Sequence, residues 1–217
     1  GISIFSSPFD TTAVDLLEEL NAPAYKIASF EAVDLPLIRY VAATGKPMII
    51  STGMSDRDDI QEAIDAAREG GCKELAILHC VSGYPAPAAN YNIRTLADMI
   101  ARYGLVTGLS DHTLDNTTAI CSVAMGASII EKHFTLDRNM EGPDHAASLE
   151  PQELKEMVSA IRNVEQALGD GIKLPSKSEY PNRAIARKSI VAAKSIRTGE
   201  LFSETNLTAK RPGTGIS

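Results

Sequence analysis

Gly108-Leu109-Ser110-Asp111-His112-Thr113 and Glu131-Lys132-His133-Phe134-Thr135 are two occurrences of one pattern. Each follows a short apolar run, residues 105–109 in the first case and 127–130 in the second, and each carries a histidine just past that run. The intervening residues 114–125 predict a single helix. Two histidines therefore follow successive strands, at the same end of two strand–helix units. In a parallel barrel, catalytic residues lie at that end.

The same alternation continues outward in both directions. Apolar runs predict six strands, at residues 2–5, 24–28, 47–50, 74–78, 105–109 and 127–130. Helical periodicity follows these runs and ends with a long helix at 151–168. Units of about 20 to 30 residues have βαβ spacing and indicate a parallel sheet. A doubly wound sheet and a barrel both stay open, although no G-x-G-x-x-G follows the first strand, and polar residues after nearly every strand favour a barrel.

The bulk composition indicates a soluble globular protein. Of its 217 residues, 44% are hydrophobic and 23% are charged, and the net charge is −7. The acidic balance argues against nucleic acid or an anionic membrane as a partner, whereas an anionic small substrate stays possible. Three scattered cysteines, no apolar run near the roughly 18 residues of a membrane helix, and no signal-peptide pattern predict a cytoplasmic location.

The chain changes character twice along its length. Residues 1–169 hold the strand–helix units and predict a partial (β/α) barrel. Residues 170–188 contain basic residues, proline and serine and predict a linker. Residues 189–217 predict the start of a small β module that the chain does not finish. Because the chain starts at Gly1 directly before an apolar run, and a barrel needs eight strands, we expect it to be the middle of something longer.

The two strand-end histidines are metal candidates. Neutral imidazole is a common ligand of divalent metals, and two histidines leave coordination positions open to substrate and water. Glu131 shares strand parity with His133, and Asp111 is positioned to orient an imidazole. The alternative is that His112 and His133 merely hydrogen-bond at strand ends; their equivalent positions in successive units favour the metal.

A second group of residues indicates an anion site. Lys26 lies inside an apolar strand, where a lysine is costly without an anionic partner. Ser7, Ser51 and Ser110 end other strands, and hydroxyls with strand-end amides favour a phosphate or carboxylate cradle. The alternative is that the serines only end strands and that Lys26 pairs with Glu31.

Two loops add candidates. Asp144, in Glu141-Gly142-Pro143-Asp144-His145, is placed to bind sugar hydroxyls, although a Gly-Pro-Asp sequence is also a common turn. Tyr84, in the rigid segment Tyr84-Pro85-Ala86-Pro87, is placed to face a pocket.

Together these motifs resemble the sialic acid synthase family, the phosphoenolpyruvate-dependent synthases of nonulosonic acids. The resemblance covers essentially the whole chain. It rests on Lys26-Ile27-Ala28-Ser29-Phe30-Glu31, Ile50-Ser51-Thr52-Gly53-Met54, His79-Cys80-Val81-Ser82-Gly83-Tyr84-Pro85, Gly108 to Thr113, Glu131 to Phe134, and Gly142-Pro143-Asp144-His145 with Ser148-Leu149-Glu150-Pro151. It implies a TIM (β/α)8 barrel, here missing its first two strands, followed by the start of an antifreeze-like (SAF) module.

The resemblance also implies roles for individual residues. A divalent metal, manganese with magnesium or cobalt as alternatives, would bind His112 and His133. The sugar contacts fall on Glu31, Tyr84 and Asp144, of which Glu31 and Asp144 would also act catalytically. The phosphoenolpyruvate contacts fall on Ser7, Lys26, Ser29, Ser51, Ser82 and Ser110. The full-length protein would be a domain-swapped homodimer.

The implied activity is a metal-dependent condensation of phosphoenolpyruvate with an N-acylated hexosamine such as N-acetylmannosamine. Ser82 and Phe30 favour a legionaminate, pseudaminate or spore-coat branch, whereas Asp144-His145 favours sialate or legionaminate. One alternative is another phosphoenolpyruvate aldol-type synthase that acts on a sugar phosphate, which would need further basic residues. The other is an inactive barrel remnant that binds sugar or serves assembly in polysaccharide biosynthesis. We expect the 217-residue chain alone to be inactive.

Overall fold

Five parallel strands lie side by side in the order in which they occur in the chain. The computed structural model describes residues 1–217, the side chain of residue 184 excepted. The strands are β1 (Tyr25–Ile27), β2 (Met48–Ser51), β3 (Leu75–Cys80), β4 (Val106–Asp111) and β5 (Ile130–Lys132). A doubly wound sheet reverses its strand order at a switch point, so this sequential order is that of part of a barrel.

Helices follow the strands as the periodicity predicts. They are α1 (Thr11–Glu19), α2 (Leu35–Ala42), α3 (Arg57–Glu69), α4 (Thr95–Tyr103), α5 (Thr117–Ala124) and α6 (Pro151–Leu168). Aspartates cap several of them; the Asp10 carboxylate accepts a bond from the backbone N of Ala13 at 2.9 Å. None of the described helices combines the length and apolar character that a membrane crossing requires.

The predicted strand at residues 2–5 is wrong. This segment meets the sheet at a single bridge between Ser6 and Tyr25, where the Lys26 backbone N donates to the Ser6 carbonyl at 3.2 Å. Ile2 and Ile4 are 92% and 82% exposed. A buried parallel strand needs a ladder of hydrogen bonds and cover on both faces. Residues 2–5 have neither, so the sheet has five strands and not six.

The main core packs α2 and α3 against the first three strands. Ile38 and Val41 of α2, Ile64 of α3, and Ile27 and Ile50 of the sheet are all fully buried or nearly so. This apolar layer fixes the strands and leaves their carboxyl ends, where the polar residues lie, for a site.

The second compact unit, Asp170–Ser217, is separate from the first, Gly1–Gly169. It contains the helix α7 (Tyr180–Ala186) and an antiparallel pair, β6 (Ser189–Ala192) and β7 (Leu207–Lys210). Helix α7 falls within residues 170–188, which the sequence predicted as a linker. The identity of this unit as the start of an antifreeze-like module stays a prediction.

Candidate active site

A cavity of about 210 Å³ opens at the carboxyl ends of the parallel strands. Strand-end residues from all five strands reach it, because parallel strands present their carboxyl ends at one edge of the sheet. Its lining consists of Ser7, Lys26, Ala28, Ser29, Ser51, Cys80, Tyr84, Ser110, His112, Glu131 and His133. The structure thus brings together the two histidines, the lysine and four of the serines that the sequence singled out.

Lys26 is the buried cation of this cavity. Its Nζ lies 3.5 Å from Oε1 of Glu131 and donates to the carbonyl of Ile27 at 3.2 Å. Burial lowers the pKa of Lys26, and the nearby Glu131 carboxylate partly opposes that shift. Lys26 therefore forms its ion pair with Glu131. The alternative drawn from the sequence, a pair with Glu31, is wrong.

Glu131 lines the cavity, on the face that its parity with His133 predicts, although no binding or catalytic role was assigned to it. Besides pairing with Lys26, its Oε1 accepts a hydrogen bond from Ser110 Oγ at 2.7 Å. The signal was present in the sequence, since Glu131 alternates with His133 along the same strand and so faces the same side. The sulfur of Cys80 also reaches the cavity and lies 4.0 Å from Nδ1 of His112.

Serine hydroxyls converge on Gly53. The Gly53 backbone N donates to Ser29 Oγ at 3.0 Å, and a Cβ at Gly53 would lie 2.2 Å from Ser82 Oγ. Among the described residues, the buried oxygens Ser51 Oγ and Ser82 Oγ have no hydrogen-bond partner. Buried hydroxyls are nearly always satisfied, so unpaired ones beside a cavity fit a place for an acceptor ligand.

The two histidines face each other across the ends of β4 and β5. Their ring centroids are 5.3 Å apart. Nδ1 of His112 contacts the Val81 carbonyl at 2.8 Å and is therefore the protonated nitrogen, which leaves the Nε2 lone pair free. Nδ1 of His133 lies 3.8 Å from Oδ2 of Asp144.

The pKa values of the two imidazoles shift in opposite directions. Burial lowers the pKa of His133, which favours the neutral form that a metal ligand needs. Burial also acts to lower the pKa of His112, but its hydrogen bonds to Cys80 and Val81 outweigh this and raise the pKa. These donors fit a divalent ion. Among the described residues no cluster of three or more His, Cys, Asp and Glu side chains has metal-site spacing, so further positions would fall to water or substrate.

Two of the three predicted sugar residues, Tyr84 and Asp144, lie beside the histidine pair. The Tyr84 ring lies 4.2 Å from the His112 ring and 5.6 Å from that of His133. Glu31 and Asp144 do not line the cavity itself; Asp144 approaches it only through His133. The Glu31 Oε2 atom is buried without a hydrogen-bond partner among the described residues, and burial raises the pKa of Glu31.

The Asp111 carboxylate makes no hydrogen bond to an imidazole, contrary to the sequence prediction. Its Oδ2 accepts from Lys132 Nζ at 2.8 Å, and both side chains are buried. The cause is strand alternation. Ser110 and Glu131 face the cavity, so Asp111 and Lys132, the next residues along, face the opposite side of the sheet.

Known proteins resemble this chain over essentially its whole length. Residues 1–173 match the NeuB family. The N,N'-diacetyllegionaminic acid synthase of Campylobacter jejuni is 48% identical over 219 residues, covering 100% of this chain and 66% of the relative. The pseudaminic acid synthase of Helicobacter pylori is 39% identical over 215 residues, covering 99% and 63%.

A solved structure shares the fold. The crystal structure of N-acetylneuraminic acid (sialic acid) synthetase from Leptospira borgpetersenii in complex with citrate superposes with a TM-score of 0.76 at 32% identity, covering 81% of this chain and 61% of that one. The chain thus spans 61% to 66% of the length of proteins it resembles. The resemblance drawn from the motifs is confirmed, and the chain belongs to the NeuB family.

Proposed function

We propose that the cavity binds phosphoenolpyruvate and an N-acylated hexosamine and condenses them, with a divalent metal, to a nonulosonic acid and phosphate. One observation carries the proposal. A buried lysine, four serines including the unpaired Ser51, and two neighbouring imidazoles share one cavity at the carboxyl ends of the strands. Such a set has positive charge and free donors for an anion beside ligands for a metal.

Phosphoenolpyruvate would occupy the part of the cavity near Lys26. The ammonium would pair with its phosphate or carboxylate, and serine hydroxyls, among them the unpaired Ser51 Oγ, would donate to it. Ser82 lies beside Gly53 and does not line the cavity, so its contact with phosphoenolpyruvate stays a prediction. Glu131 would keep Lys26 and Ser110 in place, since it contacts both. These contacts would hold the enol carbon in one orientation toward the sugar.

His112 and His133 would hold the metal, which we propose to be manganese, with magnesium or cobalt as alternatives. When bound, the ion supplies Lewis acidity toward the carbonyl oxygen of the open-chain sugar. The Val81 carbonyl fixes the tautomer of His112, so that Nε2 is the nitrogen offered to the ion.

The sugar would lie between the histidine pair and the loop that carries Asp144. Tyr84 would pack on it, and Glu31 and Asp144 would orient its hydroxyls and move protons. The C3 methylene carbon of phosphoenolpyruvate would form a C–C bond with the aldehyde carbon, whose oxygen takes a proton. Water would then add to C2, the carbon that carries the phosphate, and lose a proton. Phosphate would leave with cleavage of its C2–O bond, which makes C2 the keto carbon of the product. The relatives' names indicate legionaminic, pseudaminic and N-acetylneuraminic products, so we propose an N-acylated hexosamine without choosing among them.

The test uses the chain extended to the length of its relatives, because the 217 residues alone are expected to be inactive. It measures phosphate release from phosphoenolpyruvate with Mn²⁺, in the presence and absence of N-acetylmannosamine or a diacetylated diamino hexose. Sugar-dependent phosphate release together with a nonulosonic acid product would support the proposal. Phosphoenolpyruvate binding without release with any of these sugars would favour the remnant that binds but does not turn over. Failure to bind phosphoenolpyruvate would remove the anion assignment altogether.

A further inference from the structure

An ion pair is buried directly behind the two histidines. Lys132 Nζ lies 2.8 Å from Asp111 Oδ2, with side chains 3% and 0% exposed. The same ammonium donates to the Thr113 carbonyl at 2.6 Å and to the Asp115 carbonyl at 2.9 Å. It also reaches Thr113 Oγ1 at 3.3 Å, so Lys132 holds the segment 111–115, which surrounds His112, through four oxygens.

The pair lies where it can set the distance between the imidazoles. Asp111 and Lys132 face each other in the β4–β5 register. Each immediately precedes a histidine, Asp111 before His112 and Lys132 before His133. A shift of either strand end would stretch the 2.8 Å contact, so the contact resists any change in the separation of the rings.

Stability alone does not explain this arrangement. Taking two charges out of water costs free energy, and replacing a buried ion pair by packed apolar side chains is often neutral or stabilising. An ion pair nevertheless demands one geometry, whereas apolar contacts tolerate small displacements. The same lysine also donates to the carbonyls of Thr113 and Asp115, which fixes the chain just past His112.

We propose that Asp111 and Lys132 are positioning residues that hold His112 and His133 at metal-binding separation. The proposal rests on the proposed function insofar as a metal occupies the histidine pair. Neither residue touches the cavity, so neither would contact substrate. Groups that hydrogen-bond a ligating histidine directly typically change metal affinity by about 10- to 100-fold when they are replaced. Asp111 and Lys132 act from the neighbouring position in the chain, so we expect an effect at the lower end of that range, about 10-fold.

The experiment compares the wild-type chain with Asp111→Leu/Lys132→Met, which removes both charges together and so leaves no unpaired ion. Lys132→Met alone is not used, because it would leave the Asp111 carboxylate buried and unpaired and could prevent folding. The control is Lys46→Met, which removes a lysine from an ion pair with Glu18 at the opposite end of the sheet. Three quantities are measured: the melting temperature, the Kd for Mn²⁺ by calorimetry, and the His112–His133 ring separation in crystal structures.

We expect the double variant to melt near the wild-type temperature, to bind Mn²⁺ about 10-fold more weakly, and to show a ring separation different from 5.3 Å. The Lys46→Met chain should keep the wild-type Kd. Wild-type Mn²⁺ affinity and ring separation in the double variant would overturn the proposal. If the wild-type chain itself binds no Mn²⁺, the metal assignment of the proposed function fails, and the ring separation alone decides whether the pair positions the histidines.

Discussion

Lys26 dominates the cavity at the scale of single residues. Its ammonium lies among hydroxyls and strand-end groups and has one carboxylate, Glu131, at 3.5 Å. A buried lysine is retained at a cost in solvation, which a bound anion would offset. The serines around it are neutral donors, so the charge that selects an anion comes from this one side chain.

Replacing Lys26 with Met should therefore weaken phosphoenolpyruvate binding more than sugar binding. A hydrogen bond to a charged group is worth about 1.5–3 kcal/mol, so the Kd for phosphoenolpyruvate should rise by about 10- to 100-fold. Isothermal calorimetry measures both ligands, and Lys46→Met serves as the matched control because Lys46 pairs with Glu18 away from the cavity. An unchanged phosphoenolpyruvate Kd would make Lys26 a structural residue.

The lowered pKa of Lys26 gives binding a pH dependence. Burial lowers the pKa of Lys26 below the ordinary value of 10.5, so this lysine loses its proton at a lower pH than an exposed lysine does. The neutral amine does not attract an anion, so phosphoenolpyruvate affinity should fall as the pH rises through the lowered pKa of Lys26, at a pH below 10.5. Lys26→Arg should bind without this alkaline decline, because a guanidinium stays protonated. The same decline in the Arg variant would show that another group titrates.

At the scale of elements, the carboxyl ends of the strands carry the residues of the cavity, and the sequence predicts most of these strand ends. Helix α6 occupies residues 151–168, as its periodicity predicts, because Pro151 and an apolar stripe are local signals. Helix α5 starts at Thr117 and not at 114. Lys132, distant in sequence, binds the carbonyl of Asp115, and the Asp115 carboxylate accepts from the Thr117 backbone N. Such long-range contacts are not visible in a local pattern.

Only those candidate site residues that have a local signal can be recognised from the sequence. Strand-end residues such as His112 and Ser51 are recognisable because an apolar run precedes each of them. The partner of Asp111 depends on the β4–β5 register, which no local signal fixes. The role of Glu131 needed the same register, because Ser110 and Lys26 reach it from other strands.

Gly108 shows how closely β4 approaches its neighbour. A Cβ there would lie 2.3 Å from the Ile129 carbonyl oxygen, which accepts a bond from the Leu109 backbone N. Gly108→Ala should therefore lower the free energy of unfolding by about 1–3 kcal/mol, as measured by urea denaturation. Gly83→Ala, whose added Cβ would meet nothing closer than 3.6 Å, should change it by less than about 0.5 kcal/mol. Equal effects of the two substitutions would argue against crowding at Gly108.

At the scale of the whole molecule, apolar side chains remain exposed beside the first strand of the sheet. Ile2 and Ile4 lie next to β1, whose outer edge carries a single bridge. Open apolar edges favour association with other chains. The domain-swapped homodimer implied by the family resemblance stays a prediction.

Replacing Ile2 and Ile4 with Ser should thus reduce self-association of the 217-residue chain. Light scattering coupled to size-exclusion chromatography gives the mass as a function of concentration. The control replaces Ile172 and Leu174, which are similarly apolar and exposed but belong to the second compact unit. If the control reduces association as much as the Ile2 and Ile4 substitutions do, the edge beside β1 is not the cause.

The proposed function requires that one cavity bind both an anion and a metal. A crystal structure of the chain with Mn²⁺ and phosphoenolpyruvate, with the metal located by its anomalous scattering, tests this directly. We predict one Mn²⁺ within about 2.0–2.2 Å of one nitrogen each of His112 and His133, the usual range for such ligand bonds. We also predict phosphoenolpyruvate within hydrogen-bond distance of Lys26 Nζ. Manganese bound elsewhere, with the histidines free, or phosphoenolpyruvate away from Lys26 would contradict it.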